Sequence, residues 1–154
     1  MKIEGYQKRI VDKKLEAMLR VFGGVLIVGP KWCGKSWTAS NQANSEVYID
    51  VEDNKKRALL MPEIILDGPE PRLIDEWQDA PVLWDVARRK IDKEHRPGMF
   101  ILTGSAVPDI SPDKSLPTQG RDVLPSCECV HFLSMKKKSQ MGTYHYPFCL
   151  KVNR

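Results

Sequence analysis

The chain lacks any apolar run near the ~18 residues that a membrane-spanning helix needs. Its first residues carry Lys2, Glu4, Lys8 and Arg9 without an apolar segment, so no signal peptide is expected. A cytoplasmic protein follows by default. The four cysteines, at 33, 127, 129 and 149, include no C-x-x-C pair. A zinc or thioredoxin reading therefore has little support. His95, His131 and His145 show no paired acid or metal-ligand spacing and receive no role. Surplus charge is also missing from most of the chain. Residues 1–116 hold 18 Lys+Arg against 18 Asp+Glu, and the remaining 6 basic and 2 acidic groups account for the whole net charge of +4. The body carries no electrostatic footprint for nucleic acid. Lys136-Lys137-Lys138 reads as a solvated run rather than a phosphate clamp.

Against these absences stands Gly29-Pro30-Lys31-Trp32-Cys33-Gly34-Lys35-Ser36, which fits G-x-x-x-x-G-K-[ST]. Successive backbone N–H groups of such a loop converge on phosphate oxygens at a helix N-terminus. Lys35 is expected to bridge the β- and γ-phosphates, and the Ser36 hydroxyl to bind Mg²⁺. The small Cys33 side chain fits within the loop. Val25-Leu26-Ile27-Val28 supplies the preceding strand, and Trp37-Thr38-Ala39 continues the helix that starts at Lys35 and runs to about Gln42.

Other elements follow from pattern. Tyr6, Ile10, Leu15, Met18, Leu19 and Phe22 recur at helical spacing, which predicts an amphipathic helix over 6–20. A second strand is expected at Glu46–Asp50, and a helix over Asn54–Met61 stopped by Pro62. A third strand is expected at Arg72–Glu76, a helix at Pro81–Ile91 and a fourth strand at Met99–Thr103. Strands alternating with helices imply an α/β fold with a parallel sheet. Beyond Leu116 no period persists, except for a possible element at Val130–Leu133. The reading is therefore a core over 1–116 and an irregular tail over 117–154.

Leu73-Ile74-Asp75-Glu76 places two acids at a strand end. Asp75 is expected to hold Mg²⁺, and Glu76 to activate the attacking water. Thr103 or Ser105, closing the fourth strand, could reach the γ-phosphate or that water. Trp77 and Trp84 read as packing residues. Gln78 could touch a neighbouring group, but the simpler reading gives it no such contact. Arg88 and Arg89 could serve a second subunit's nucleotide but more simply cover a helix face.

With these residues in place, the chain resembles prokaryotic AAA-type (AAA+) P-loop ATPases that carry an uncharacterised C-terminal domain. The likeness rests on Tyr6-Gln7-Lys8-Arg9, Gly29–Ser36, Leu73–Gln78, Leu83-Trp84-Asp85 and Ile101–Ser105. It implies a three-layer sandwich of strand order 5-1-4-3-2 and Mg²⁺-dependent ATP hydrolysis. It places the nucleotide at Gly29 to Trp37 and allows self-association in intact members. Past Leu116 the family pattern, His-x-Gly-x-Gly-Arg and then Arg-Met-Arg-Pro-Met-Ser-Leu-Tyr-Glu, is absent. Joining the last base of each codon to the first two of the next recovers much of it. Pro117–Val123 then permits His-Thr-Gly-Ala-Gly-Arg, Cys127–His131 permits Arg-Met-Arg-Pro, and Phe132–Lys136 permits Ser-Leu-Tyr-Glu. Residues 117–154 thus read as out-of-frame sequence in a truncated member. A gene whose shifted frame lacks those motifs defeats this hypothesis.

On that reading the fifth strand is missing or improvised by Cys129–Leu133, and the strand feeding the loop becomes an exposed edge. Three functions stay open. The first is an ATPase using Lys35, Ser36, Asp75, Glu76 and Thr103. The second is a non-catalytic nucleotide-binding fragment or unstable remnant. The third, a P-loop kinase, is disfavoured by Glu76 and by the lack of an evident lid.

Overall fold

Gly24–Val28 (β1) is buried along its whole length, as is Phe100–Gly104 (β4) beside it. Continuous burial of apolar, often β-branched strands is the mark of a parallel sheet covered on both faces. The computed structural model describes residues 4–104 and 126–128. Within them the helices are α1 (Ile10–Leu19), α2 (Lys35–Gln42), α3 (Glu52–Leu60), α4 (Pro62–Ile65) and α5 (Val82–Glu94). The other strands are β2 (Ser45–Tyr48), β3 (Arg72–Asp75) and β5 (Ser126–Glu128). The sheet is parallel, in the order β2-β3-β4-β1-β5. This is the order that the resemblance implies, read from the other edge.

Period-2 alternation divides the strands between two cores. Leu26, Val28, Ile74, Phe100 and Leu102 pack with Leu83, Val86, Ala87 and Ile91 of α5. Val25, Ile27, Leu73 and Ile101 pack with Leu15, Met18 and Leu19 of α1 and Ala39 of α2. Helices thus cover both faces, giving the three-layer arrangement. No described helix is long and apolar enough to cross a membrane.

Several expectations need correction. The first helix starts at Ile10, not at residue 6. Arg9 has extended backbone (φ −109°, ψ 158°), and its N–H donates to Asp12 Oδ2 at 2.7 Å. A carboxylate in the first turn has satisfied the chain-entry donor, which periodicity alone cannot report. Pro62 ends α3 but also opens α4, since proline at a first helical position loses no hydrogen bond. The second strand starts at Ser45 and ends at Tyr48, and α5 runs on to Glu94.

The largest correction concerns the fifth strand. Its place is filled by Ser126–Glu128, which pair with Leu26, Ile27 and Val28. Consequently β1 is not an exposed edge. Backbone N–H and C=O groups suffice for such pairing, so composition is a poor guide to it. The expected occupant, Cys129–Leu133, lies outside the described residues. So do Val130–Leu133 and the rest of the tail apart from β5.

Candidate functional site

Parallel strands deliver their C-terminal ends to one side of a sheet, and three of these ends meet here. β1 runs out into residues 29–34, which turn sharply into α2. Trp32 (φ 66°) and Gly34 (φ 86°) are left-handed, and Cys33 N–H donates to Pro30 O at 3.3 Å. Gly34 is the N-cap of α2, so the positive end of that helix faces the loop. The Lys35 side chain is only 5% exposed and curls back to donate from Nζ to Pro30 O at 3.2 Å. The ammonium therefore lies across the loop where an anion would be met.

The next residue reaches the other strands. The Ser36 hydroxyl donates to Asp75 Oδ1 at 2.7 Å. The Thr103 hydroxyl donates to the same oxygen. Asp75 is 6% exposed, and burial pushes its carboxyl above the usual range. The bonds from Thr103 and Ser36 oppose that shift, while the charges of Glu76 and Asp50 add to it. A buried carboxylate that is costly to ionise is a site where a cation would be welcome.

Glu76 leaves the strand in left-handed conformation (φ 52°, ψ 47°) and starts a 3₁₀ turn at Trp77–Asp79. Non-glycine residues held there persist only where the surroundings fix them. Gln78 supplies one such restraint, since its Nε2 donates to Glu76 Oε2. Gly104 leaves room for this turn, because a Cβ there would lie 2.6 Å from Gln78 Oε1 and 3.1 Å from Trp77 Nε1. Trp77 is buried with its ring centroid 5.1 Å from that of Trp84.

The structure thus brings Lys35, Ser36, Asp75, Glu76 and Thr103 to one end of the sheet beside the turn of Gly29, Pro30, Lys31, Trp32, Cys33 and Gly34. Thr103 is fully buried with its hydroxyl on Asp75, so it faces that carboxylate rather than open space. Trp32 is 90% exposed and Trp37 53% exposed at the rim. Arg88 pairs with Asp92 on its own helix at 3.5 Å, and Arg89 donates to Asp85 O at 3.3 Å. Ser105 lies outside the described residues.

Sequence reasoning gave no site role to Tyr6, Arg9, Asp12 or Thr38, which form a hydrogen-bonded group behind the loop. The Tyr6-x-x-Arg9 spacing was visible, but nothing in the sequence gave it a partner.

A three-layer parallel sheet that feeds a glycine-turned loop into a helix N-terminus, with a buried carboxylate on a neighbouring strand, defines an ATPase-type nucleotide-binding domain. A family model described as an AAA domain matches residues 22–132, and the chain belongs to that family. No curated protein matches the chain in sequence. Among solved structures it is similar to C. elegans PCH-2, at 14% identity and a TM-score of 0.42. That likeness covers 92% of this chain and 49% of the other, so the chain spans about half that structure's length.

Proposed function

We propose that this domain binds ATP with Mg²⁺ and hydrolyses it. The observation that carries the reading is the convergence of Ser36 and Thr103 on one oxygen of Asp75, beside Lys35 at the start of α2. A hydroxyl and a carboxylate 2.7 Å apart are hard oxygen donors, the set that suits Mg²⁺. Mg²⁺ characteristically keeps waters and takes only one or two protein oxygens besides phosphate. When bound, the ion would neutralise charge on the phosphates.

The chain's own residues would divide the remaining work. Backbone N–H groups of residues 29–36 and the Lys35 ammonium would hold the phosphates, with Trp37 lying alongside. Ser36 and Asp75 would hold the ion, and Thr103 would keep the Asp75 carboxylate in place. Glu76 would orient and deprotonate a water, a role worth about 10²–10⁴-fold in general-base catalysis.

The test uses the full purified chain. Glu76→Gln should lower phosphate release by about 10²-fold or more while ATP still raises the melting temperature. A wild-type chain that ATP stabilises without any turnover would support a nucleotide-binding module instead. Transfer of phosphate to an acceptor other than water would restore the kinase reading.

A further inference from the structure

We propose that Arg9 is a positioning residue for phosphate binding, holding the loop from outside so that its N–H groups point inward. The assignment rests on the nucleotide reading above. Arg9 is itself firmly placed. Its own N–H is held by Asp12, whose other carboxylate oxygen accepts from the Tyr6 hydroxyl at 2.6 Å. Tyr6 also reaches Thr38 Oγ1, at 3.4 Å. From this anchorage the guanidinium spans three acceptors. Nη2 donates to Cys33 O at 2.7 Å, and Nη1 donates to Gly34 O and to Thr38 Oγ1, each at 3.0 Å.

Two of these acceptors are carbonyls of the loop, and peptide planarity converts their direction into function. In a trans peptide the C=O and the following N–H point opposite ways. Drawing the Cys33 carbonyl toward Arg9 therefore aims the Gly34 N–H away from it, into the loop. The Gly34 carbonyl is held twice, by Arg9 and by the Thr38 N–H at 3.0 Å, which aims the Lys35 N–H the same way. A flipped Cys33–Gly34 peptide would instead present a carbonyl oxygen to an anion. Gly34 makes the grip possible, because a Cβ there would lie 2.6 Å from Arg9 Nη1. The planar fork of arginine can span two carbonyls and a hydroxyl, whereas a lysine ammonium cannot hold all three in fixed directions.

The experiment compares the full chain with Arg9→Lys, Arg9→Met and Lys35→Ala, well below their melting temperatures. It measures affinity for inorganic pyrophosphate and for Mg·ADP, and the backbone amide resonances of Gly34 and Lys35 without ligand. Arg9→Lys should stay folded, displace the Gly34 amide resonance and weaken pyrophosphate binding about tenfold. Should Arg9→Met fail to fold, Arg9→Lys alone decides. Normal pyrophosphate affinity in Arg9→Lys, with an unmoved Gly34 amide, overturns the assignment while Lys35→Ala still loses binding. Undiminished binding in Lys35→Ala, or none in the wild type, overturns the nucleotide reading and the Arg9 role with it.

Discussion

The two sides of the candidate site are built from different materials. On the phosphate side, the groups that would meet an anion are backbone N–H groups of a contiguous segment, joined by the Lys35 ammonium that bonds back across it. On the metal side, the oxygens come from Ser36 and Asp75, with the Thr103 hydroxyl holding the carboxylate, so three residues on three separate elements take part. The first side is specified locally, by left-handed Gly34 and the start of α2. The second exists only if the sheet keeps its register. Ile74 pairs with Leu102, so Asp75 and Thr103 meet one residue further on. A slip of a single residue would turn Thr103 to the opposite face. A backbone site can therefore survive changes that a side-chain site cannot.

Two substitutions probe this contrast, and the larger effect belongs to the phosphate side. Lys35→Ala removes the ammonium that bonds back across the loop, and the thermal stabilisation by ATP should vanish, an affinity loss of about 100-fold or more. The ligand-free chain should fold normally, because the loop turn itself is made by backbone. An unchanged ATP-induced shift in a thermal scan would break the site as drawn. Asp75→Asn should cost about 10- to 100-fold in affinity for Mg·ATP, with a smaller loss for metal-free ATP. Its amide oxygen can still accept from Ser36 and Thr103. Because burial raises the Asp75 carboxyl, the neutral asparagine should melt no lower than wild type without ligand. A clear drop in that ligand-free melting point would mean the carboxylate is needed for folding instead of for a cation.

The same contrast explains what the sequence made legible. The loop octet could be read at once because its chemistry lies within one stretch, and α2 begins and ends where its residues indicate. Asp75 and Glu76 were legible as acids at a strand end, since the apolar pair Leu73-Ile74 marks the strand. What the sequence could not give was partnership across the sheet. The Thr103 hydroxyl turns to Asp75 only through strand register, and Gln78 reaches Glu76 only through the 3₁₀ turn that left-handed Glu76 begins. The Ser126–Glu128 strand was missed for a related reason, because parallel edge pairing asks nothing distinctive of side chains. Arg9 was hidden most deeply. Its guanidinium's partners include two carbonyls and a hydroxyl 24 to 29 positions away, and backbone acceptors leave no trace in composition.

The smallest predicted effect sharpens the comparison from behind the loop, where side chains serve the backbone side. Burial, followed by the hydrogen bond to Asp12, pushes the Tyr6 phenol up from 10.0 to about 12, against an opposing contribution from Thr38. Between those values the folded chain keeps a proton that the unfolded chain has lost. The unfolded state then binds fewer protons, so stability must fall as pH rises through this window. The contribution is fully present below pH 10 and gone above 12. Tyr6→Phe cannot ionise and should flatten part of that alkaline slope in melting temperature. Because Tyr6 is only partly buried, solvent screening keeps the change modest. Tyr48, raised by burial on β2 in register with Asp75, donates its hydroxyl to Glu46 at 2.9 Å rather than to the Tyr6–Asp12 group, and provides the internal comparison. Tyr48→Phe should remove its own share of the slope and leave nucleotide affinity alone, whereas Tyr6→Phe should also loosen Asp12 and weaken that affinity slightly. Equal behaviour of the two variants in both measurements would show that the Tyr6 contact does not support the loop.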